Sequence, residues 1–333
     1  MNSLASNLSL GIITLPSRKE YLFKLLESVK SVSSSGIRVN ILINAKVDNN
    51  GAGNLENAVK EYPNTTVTTY NSETYSIPEA RNKILSICET PLIGLIDDDC
   101  TIHGEHVFEN LVDTLKKTNL AMIGLKSYVD DSDVMFKPRK TTPKEVINGV
   151  TYMKIEGLFA LAYSQLLRDV GGFNERKRFW MEWTDINTVM HRNGYPTGLD
   201  MNAGYLRHWM GAPDSATRGR KDRVYDVIYG LLATGLEFGC DYNVTELKMW
   251  EMAESTFLKY ENENDIKVRE LLPKLVTVLP RIIRDAEKIK VYGDRLKSLP
   301  FNIMPFENIT REQWLELTQY ASHHMQKYKS GLL

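Results

Sequence analysis

The chain has few of the features that would place it outside an ordinary globular enzyme. It has no stretch of about 18 apolar residues, so no membrane-crossing helix is expected. Its start, "MNSLASNLSLGIITL", has neither the basic opening nor the long apolar core of a secretory leader. Only three cysteines occur in 333 residues, Cys88, Cys100 and Cys240, odd in number and far apart. That excludes a disulfide framework or a cysteine-rich zinc site, and it fits a reducing, cytoplasmic setting. Excess charge is missing too: 41 basic residues balance 42 acidic ones, so no global field selects nucleic acid or anionic lipid. Internal repeats and low-complexity linkers are also absent.

What is present is an alternation of strand-like and helix-like segments, the pattern of an open, mostly parallel mixed α/β sheet with helices on both faces. "LGIITL" predicts a first strand, and Ser17 to Glu20 has the spacing of a capping box before Leu22, Leu25, Leu26 and Val29 at helical period. "VNILINA" predicts a second strand that runs into the Asn- and Gly-rich loop "KVDNNGAGN". Ser76 and Pro78 open another helix, and "HVFENLVDTLKK" predicts one beginning soon after Asp99. "MEWTDINTVMHRNGY" reads as a helix ended by Gly194, and "GLDMNAGYLRHW" as a late strand that reaches His208. From about Asp222 the pattern is helical throughout. This divides the chain into an α/β domain over 1–221 and a helical C-terminal extension over 222–333.

The segment that demands chemistry is "PLIGLIDDDCTI". An apolar strand there delivers Asp97, Asp98 and Asp99 to a sheet edge, and three adjacent carboxylates require compensation. Side chains two apart on an extended strand share a direction, so Asp97 and Asp99 can converge on one ion. Hard carboxylate oxygens favour Mg²⁺ or Mn²⁺, and open sheets bind ligands beyond their carboxyl ends. A solvated acidic turn is the bland alternative.

"TLPSR" after the first strand, "VDNNG" after the second, "ARN" before the acidic strand and "LIDDD" at its end resemble the family-2-like inverting glycosyltransferases of the GT-A fold. The similarity continues through "VGGFNERKRFWMEWTDINTVMHRNGY" and covers about residues 8 to 215. It implies a nucleotide-sugar donor, expected to be UDP-linked, and a divalent metal cofactor, Mn²⁺ or Mg²⁺. By resemblance Thr14, Pro16 and Arg18 line the base pocket, Asp48 addresses base or ribose, and Arg81 stands near the diphosphate or the metal acids. Asp97 and Asp98 face the nucleotide-sugar. Asp97, Asp99 and His208 are the implied metal set. Arg218 and Arg220, in the small-residue loop "MGAPDSATRGRKDR", are candidates to close over the diphosphate.

The acceptor side departs from the family pattern, in which an Asp directly follows the Glu. Here Trp183 follows Glu182, and Asp185 comes two positions later. Glu182 and Asp185 share one helical face, so either can reach an acceptor. Asp185 is favoured as general base, with Glu182 orienting the hydroxyl. Trp180 and Trp183 are candidate stacking platforms for the acceptor and equally candidate core residues. That acceptor is a glycan, a small molecule or, given the basic stretches at Lys137 to Lys144 and Arg218 to Arg223, a hydroxymethylated DNA base. The run Asp97 to Thr101 also satisfies the D-x-D-x-T pattern of haloacid-dehalogenase-like phosphatases, but several strands precede it where that family has none. A non-catalytic sugar-nucleotide binder is the remaining alternative.

Overall fold

The computed structural model describes residues 4–33, 36–44, 50–60, 62, 64–70, 76–129, 146–147, 149–155, 157–178, 181–209, 222–257, 271–307 and 309–332. A single turn, α1 (Leu4–Asn7), leads into β1 (Leu8–Thr14). Then come α2 (Lys19–Val32), β2 (Arg38–Asn44), α3 (Asn50–Val59), β3 (Thr65–Tyr70), α4 (Ile77–Ile87) and β4 (Leu92–Asp97). A short β5 (Cys100–His103) precedes α5 (Val107–Lys117), β6 (Met122–Val129), β7 (Val146–Ile147), β8 (Val150–Tyr152) and β9 (Phe159–Tyr163). The α/β part closes with α6 (Ser164–Asp169), α7 (Glu182–Arg192) and β10 (Thr197–His208). The C-terminal helices are α8 (Asp222–Phe238), α9 (Tyr242–Phe257), α10 (Leu271–Lys297), α11 (Arg311–His324) and α12 (Gln326–Lys329).

The strands form one mixed sheet in the order β3-β2-β1-β4-β9-β6-β10-β8-β7, with β5 added to β10. Strands β1 to β4 pair in parallel, as do β6 and β10, while β9 runs antiparallel between β4 and β6. The expected fold class is what the structure has. The long apolar runs of β1 and β4 are buried along almost their whole length because layers cover both sides of these central strands.

One local expectation changes, and one short strand is added that the sequence pattern did not mark. Ser17 does not cap α2: a 3₁₀ turn over Pro16–Arg18 precedes the helix and Arg18 takes the N-cap position with no capping side chain. Its side chain is drawn instead to the acids described below. After Asp99 the chain makes β5 before α5, because Cys100, Thr101 and Ile102 pair antiparallel with His208, Arg207 and Leu206 of β10. The Ser76 cap is present, its hydroxyl accepting from Glu79 N at 3.4 Å with Pro78 in the first turn.

The bulge in β10 makes the β5 pairing possible. Its register shifts between Asp200 and Tyr205, and Gly204 sits there at φ +153°, where an added Cβ would lie 2.6 Å from the His103 carbonyl oxygen. No side chain fits that approach. Beyond the bulge β10 continues to His208, beside the acids.

The C-terminal helices share the core of the α/β part. Phe238, Leu296, Trp314, Ala321, Met325, Tyr328 and Leu332 belong to the same buried cluster as the sheet. Arg192, 1% exposed at the end of α7, donates to the carbonyl oxygens of Ile303, Leu296 and Phe238 and to Asn302. Among the described residues no helix is long and apolar enough to cross a membrane.

Candidate active site at the carboxyl edge of the sheet

Strand β4 runs parallel to β1 with Asp97 level with Ile13, so the acidic turn stands beside Thr14 and the 3₁₀ turn that carries Arg18. Thr14 Oγ1 donates to Asp98 Oδ2 at 2.7 Å. Arg18 Nη2 lies 2.9 Å from Asp98 Oδ1 and 2.7 Å from Asp99 Oδ2. Arg81, projecting from α4, reaches Asp97 Oδ1 at 3.2 Å. Two arginines and a hydroxyl thus compensate the three acids. Burial pushes the Asp98 carboxyl up to about 7, against the pull of Arg18 and the Thr14 hydrogen bond. Burial opposes the Asp99 charge too, but His208 and Arg18 outweigh it and hold that carboxyl at about 2.

Asp98 is the inward member of the trio and Asp97 the most exposed, with 38% of its side chain open. Strand β10 brings His208 Nε2 to 3.5 Å from Asp99 Oδ2. Among the described residues no group of three or more His, Cys, Asp or Glu side chains is assembled to hold a metal. The Asp99–His208 pair nevertheless supplies an oxygen and a nitrogen donor of the right chemistry. Mg²⁺-type sites commonly pair one or two protein ligands with substrate phosphates, so the pair fits a metal recruited together with a diphosphate.

Arg81 links this edge to α7. Only 4% exposed, it also donates through Nη1 to Glu182 Oε1 at 3.0 Å. Its guanidinium lies between Phe173, 5.4 Å from the ring centroid, and Trp183, at 4.7 Å. Trp183 is therefore packed rather than presented: one face meets Arg81, its edge meets Phe173, and Gly157 clears room for the indole. The expectation that Trp183 forms an acceptor platform is corrected by this packing. Trp180, Asp48, Arg218 and Arg220 lie outside the described residues.

Helix α7 starts after Met181, whose backbone is left-handed at φ 69°. In its first turn Asp185 is 1% exposed, with Oδ1 on Lys177 and Oδ2 accepting from the Tyr292 hydroxyl at 3.2 Å. Lys177 is fully buried and also meets Glu237 Oε2 at 2.7 Å. Burial works against the Lys177 charge, yet the two carboxylates hold its pKa above the ordinary lysine value. Both oxygens of Asp185 are thus engaged, whereas Glu182, its neighbour on the helix, is bonded through Oε1 alone among the described residues. Sequence reasoning missed Lys177, Glu237 and Tyr292. Nothing in "NERKRFW" marks Lys177 among its basic neighbours, and its second partner, Glu237, stands on a helix remote in the chain.

The geometry gathers carboxylates from β4 and α7 around one buried arginine, and comparison with known proteins supplies the family. The sequence model of Glycosyl transferase family 2 matches residues 9–182, more than half of the chain. No curated protein sequence matches. Among solved structures, S. aureus TarS residues 1–349 in complex with UDP-GlcNAc is similar over 96% of this chain and 92% of that one, with 13% identity and a TM-score of 0.58. The complex of the same fragment with UDP gives 12% identity and a TM-score of 0.54, covering 96% of this chain and 91% of that one. A longer S. aureus TarS structure is matched over 95% of this chain at 13% identity and a TM-score of 0.57, and this chain spans about half of it, 55%. At such identities these likenesses show the fold. The family match goes further: the chain belongs to glycosyl transferase family 2 and is a glycosyltransferase.

Proposed function

We propose that the chain moves a sugar from a UDP-linked donor to an acceptor hydroxyl with inversion at the anomeric carbon, and that Glu182 is the general base. The observation that carries this reading is the bridge made by Arg81. One buried guanidinium ties the donor-side acid Asp97 to the acceptor-side acid Glu182, so the two halves of a transfer site meet within the reach of one side chain. The S. aureus TarS complexes with UDP-GlcNAc and UDP support the choice of nucleotide.

In the reaction the acceptor oxygen attacks the anomeric carbon while the bond from that carbon to the diphosphate breaks, its electron pair leaving with UDP. Glu182 takes the hydroxyl proton through the oxygen that Arg81 does not hold. Asp185, favoured from the sequence, is assigned a structural place because both its oxygens are occupied. Arg81 counters negative charge on the leaving side, and Thr14 and Pro16 stand where β1 ends, next to the nucleotide base. A divalent ion, Mn²⁺ or Mg²⁺, would be held by Asp99 and His208 with Asp97 beside them, and when bound it stabilises the charge of the departing diphosphate.

The acceptor hydroxyl belongs to a glycan or small molecule in the simplest form of this reading. A DNA acceptor is a second reading, resting on the basic stretches Lys137 to Lys144 and Arg218 to Arg223 of the sequence; Lys137 to Lys144 and Arg218 to Lys221 lie outside the described residues. Salt-sensitive binding of hydroxymethylated duplex DNA would support it, and absence of binding at low salt would remove it.

The donor reading is tested by thermal shift with a panel of nucleotide-sugars, with and without Mn²⁺. Stabilisation by a UDP-linked donor that grows with metal is expected. Stabilisation by no UDP-linked compound would refute it.

A further inference from the structure

We infer that the C-terminal helices position the general base, acting through the buried Lys177–Glu237 pair, Tyr292 and the seat of Met181. This rests on the reading of Glu182 as base.

The base sits in the first turn of α7, and that turn is fixed from two sides. On the sheet side Glu182 is held by Arg81. On the other side Asp185, one turn along the same face, is held by Lys177, which in turn meets Glu237 in the last turn of α8. Tyr292 of α10 donates to the second oxygen of Asp185, and Arg176 reaches Glu237 at 2.7 Å while stacking 4.8 Å from the Tyr292 ring. Lys177 and Glu237 are both 0% exposed. Buried ion pairs contribute little net stability over apolar packing, because desolvating the charges offsets most of their attraction. What such a pair does supply is a unique arrangement. Turning α7 by one residue, about 100°, would strand all of these charges at once.

A second, independent observation concerns the residue just before the base. Met181 adopts φ 69°, a left-handed conformation that is unfavourable for a non-glycine residue. Such a conformation persists only where the surroundings impose it. Those surroundings are the C-terminal helices: Met181 is buried in the same apolar cluster as Val227, Ile228 and Leu231 of α8, Met249 of α9 and Ile289 of α10. The same helices thus hold the residue before Glu182 by packing and the residue three beyond it by charge. Lys177, Glu237 and Tyr292 are positioning residues, and none of them touches substrate.

The test uses the full chain with Glu237→Gln and Tyr292→Phe. UDP binding by calorimetry counts competent sites, and UDP release is followed from whichever of UDP-GlcNAc, UDP-glucose and UDP-galactose the wild-type chain hydrolyses fastest. Turnover per UDP-binding site should fall about tenfold or more in Glu237→Gln and about threefold in Tyr292→Phe, with UDP affinity within about twofold of wild type. A merely structural role would lower the number of UDP sites and the turnover together, leaving their ratio unchanged, and that result overturns the inference. If Glu237→Gln does not fold, Tyr292→Phe decides alone. Wild-type chain that neither binds UDP nor releases it refutes the donor reading, and the inference falls with it.

Discussion

Arg81 and Glu182 are 101 residues apart in the chain, yet Nη1 of the one meets Oε1 of the other at 3.0 Å. The contact joins α4, which feeds the acidic strand, to the first turn of α7. Because Arg81 also holds Asp97, its guanidinium ties the two acids together, and in the proposed reaction these stand on the donor and acceptor sides.

Replacing Arg81 by Met should therefore do two kinds of damage. Glu182 and Asp97 lose a common buried partner, which costs about 3 kcal/mol of stability by denaturant titration. UDP release from a UDP-sugar should fall by about 100-fold or more in the fraction that remains folded. Retention of near wild-type turnover would show that the bridge is incidental.

The two acids of α7 should behave differently. Glu182→Gln keeps the size and one hydrogen-bond acceptor of the side chain, so UDP affinity and melting temperature change little while turnover drops about 10²- to 10⁴-fold. Asp185→Asn removes one of the two buried carboxylates that Lys177 holds and should lower the melting temperature first. If instead Asp185→Asn folds normally and is inactive while Glu182→Gln is active, the base is Asp185.

Stability should depend on pH through Asp98. Burial lets its folded carboxyl keep a proton up to about 7, whereas an unfolded aspartate releases it near pH ~4. Between those values the folded chain binds more protons than the unfolded one, so stability falls as pH rises through the window and levels off above it. Asp99, held at about 2, has the opposite sign: its contribution is present above pH ~4 and is lost as pH drops toward that folded value. In EDTA the melting temperature should decline from about pH 5 to about pH 8, with a shallower decline in Asp98→Asn. Equal slopes would contradict the assignment.

Arg192 offers a test of how firmly the C-terminal helices belong to the fold. Its guanidinium satisfies three backbone carbonyls and Asn302, all on elements after Gly194. Arg192→Ala should cost about 3 kcal/mol or more and unfold in one transition, since the orphaned carbonyls cannot reach water. Two separate transitions would mean that the helices fold independently.

Much of the site was legible before any coordinates. The apolar run of β4 ending in carboxylates announced a buried strand with a compensated acidic tip, and the Ser76 cap with Pro78 located the helix that carries Arg81. The guanidinium of Arg18 bridges Asp98 and Asp99, a contact that spacing along the chain does not encode. Trp183 was ambiguous because an indole beside an acid reads equally as platform or core, and only the positions of Arg81, Phe173 and Gly157 decide. Lys177 was invisible for a related reason: its meaning comes from Glu237, 60 residues on, in helices whose periodicity says that they pack but not against what. Local propensity locates elements, while long-range ion pairs select which of their residues matter.

The proposed role of the edge formed by Asp97, Asp99 and His208 is to receive a metal together with a UDP-sugar's diphosphate. Calorimetric titration of UDP into wild-type and Asp99→Asn chains, in Mn²⁺ and in EDTA, reads that role directly. Wild-type affinity should be at least about tenfold tighter with Mn²⁺, and an Asp99→Asn chain should gain little from the metal. Equal wild-type affinity in the two buffers, or an Asp99→Asn chain that responds to Mn²⁺ as the wild type does, would contradict it.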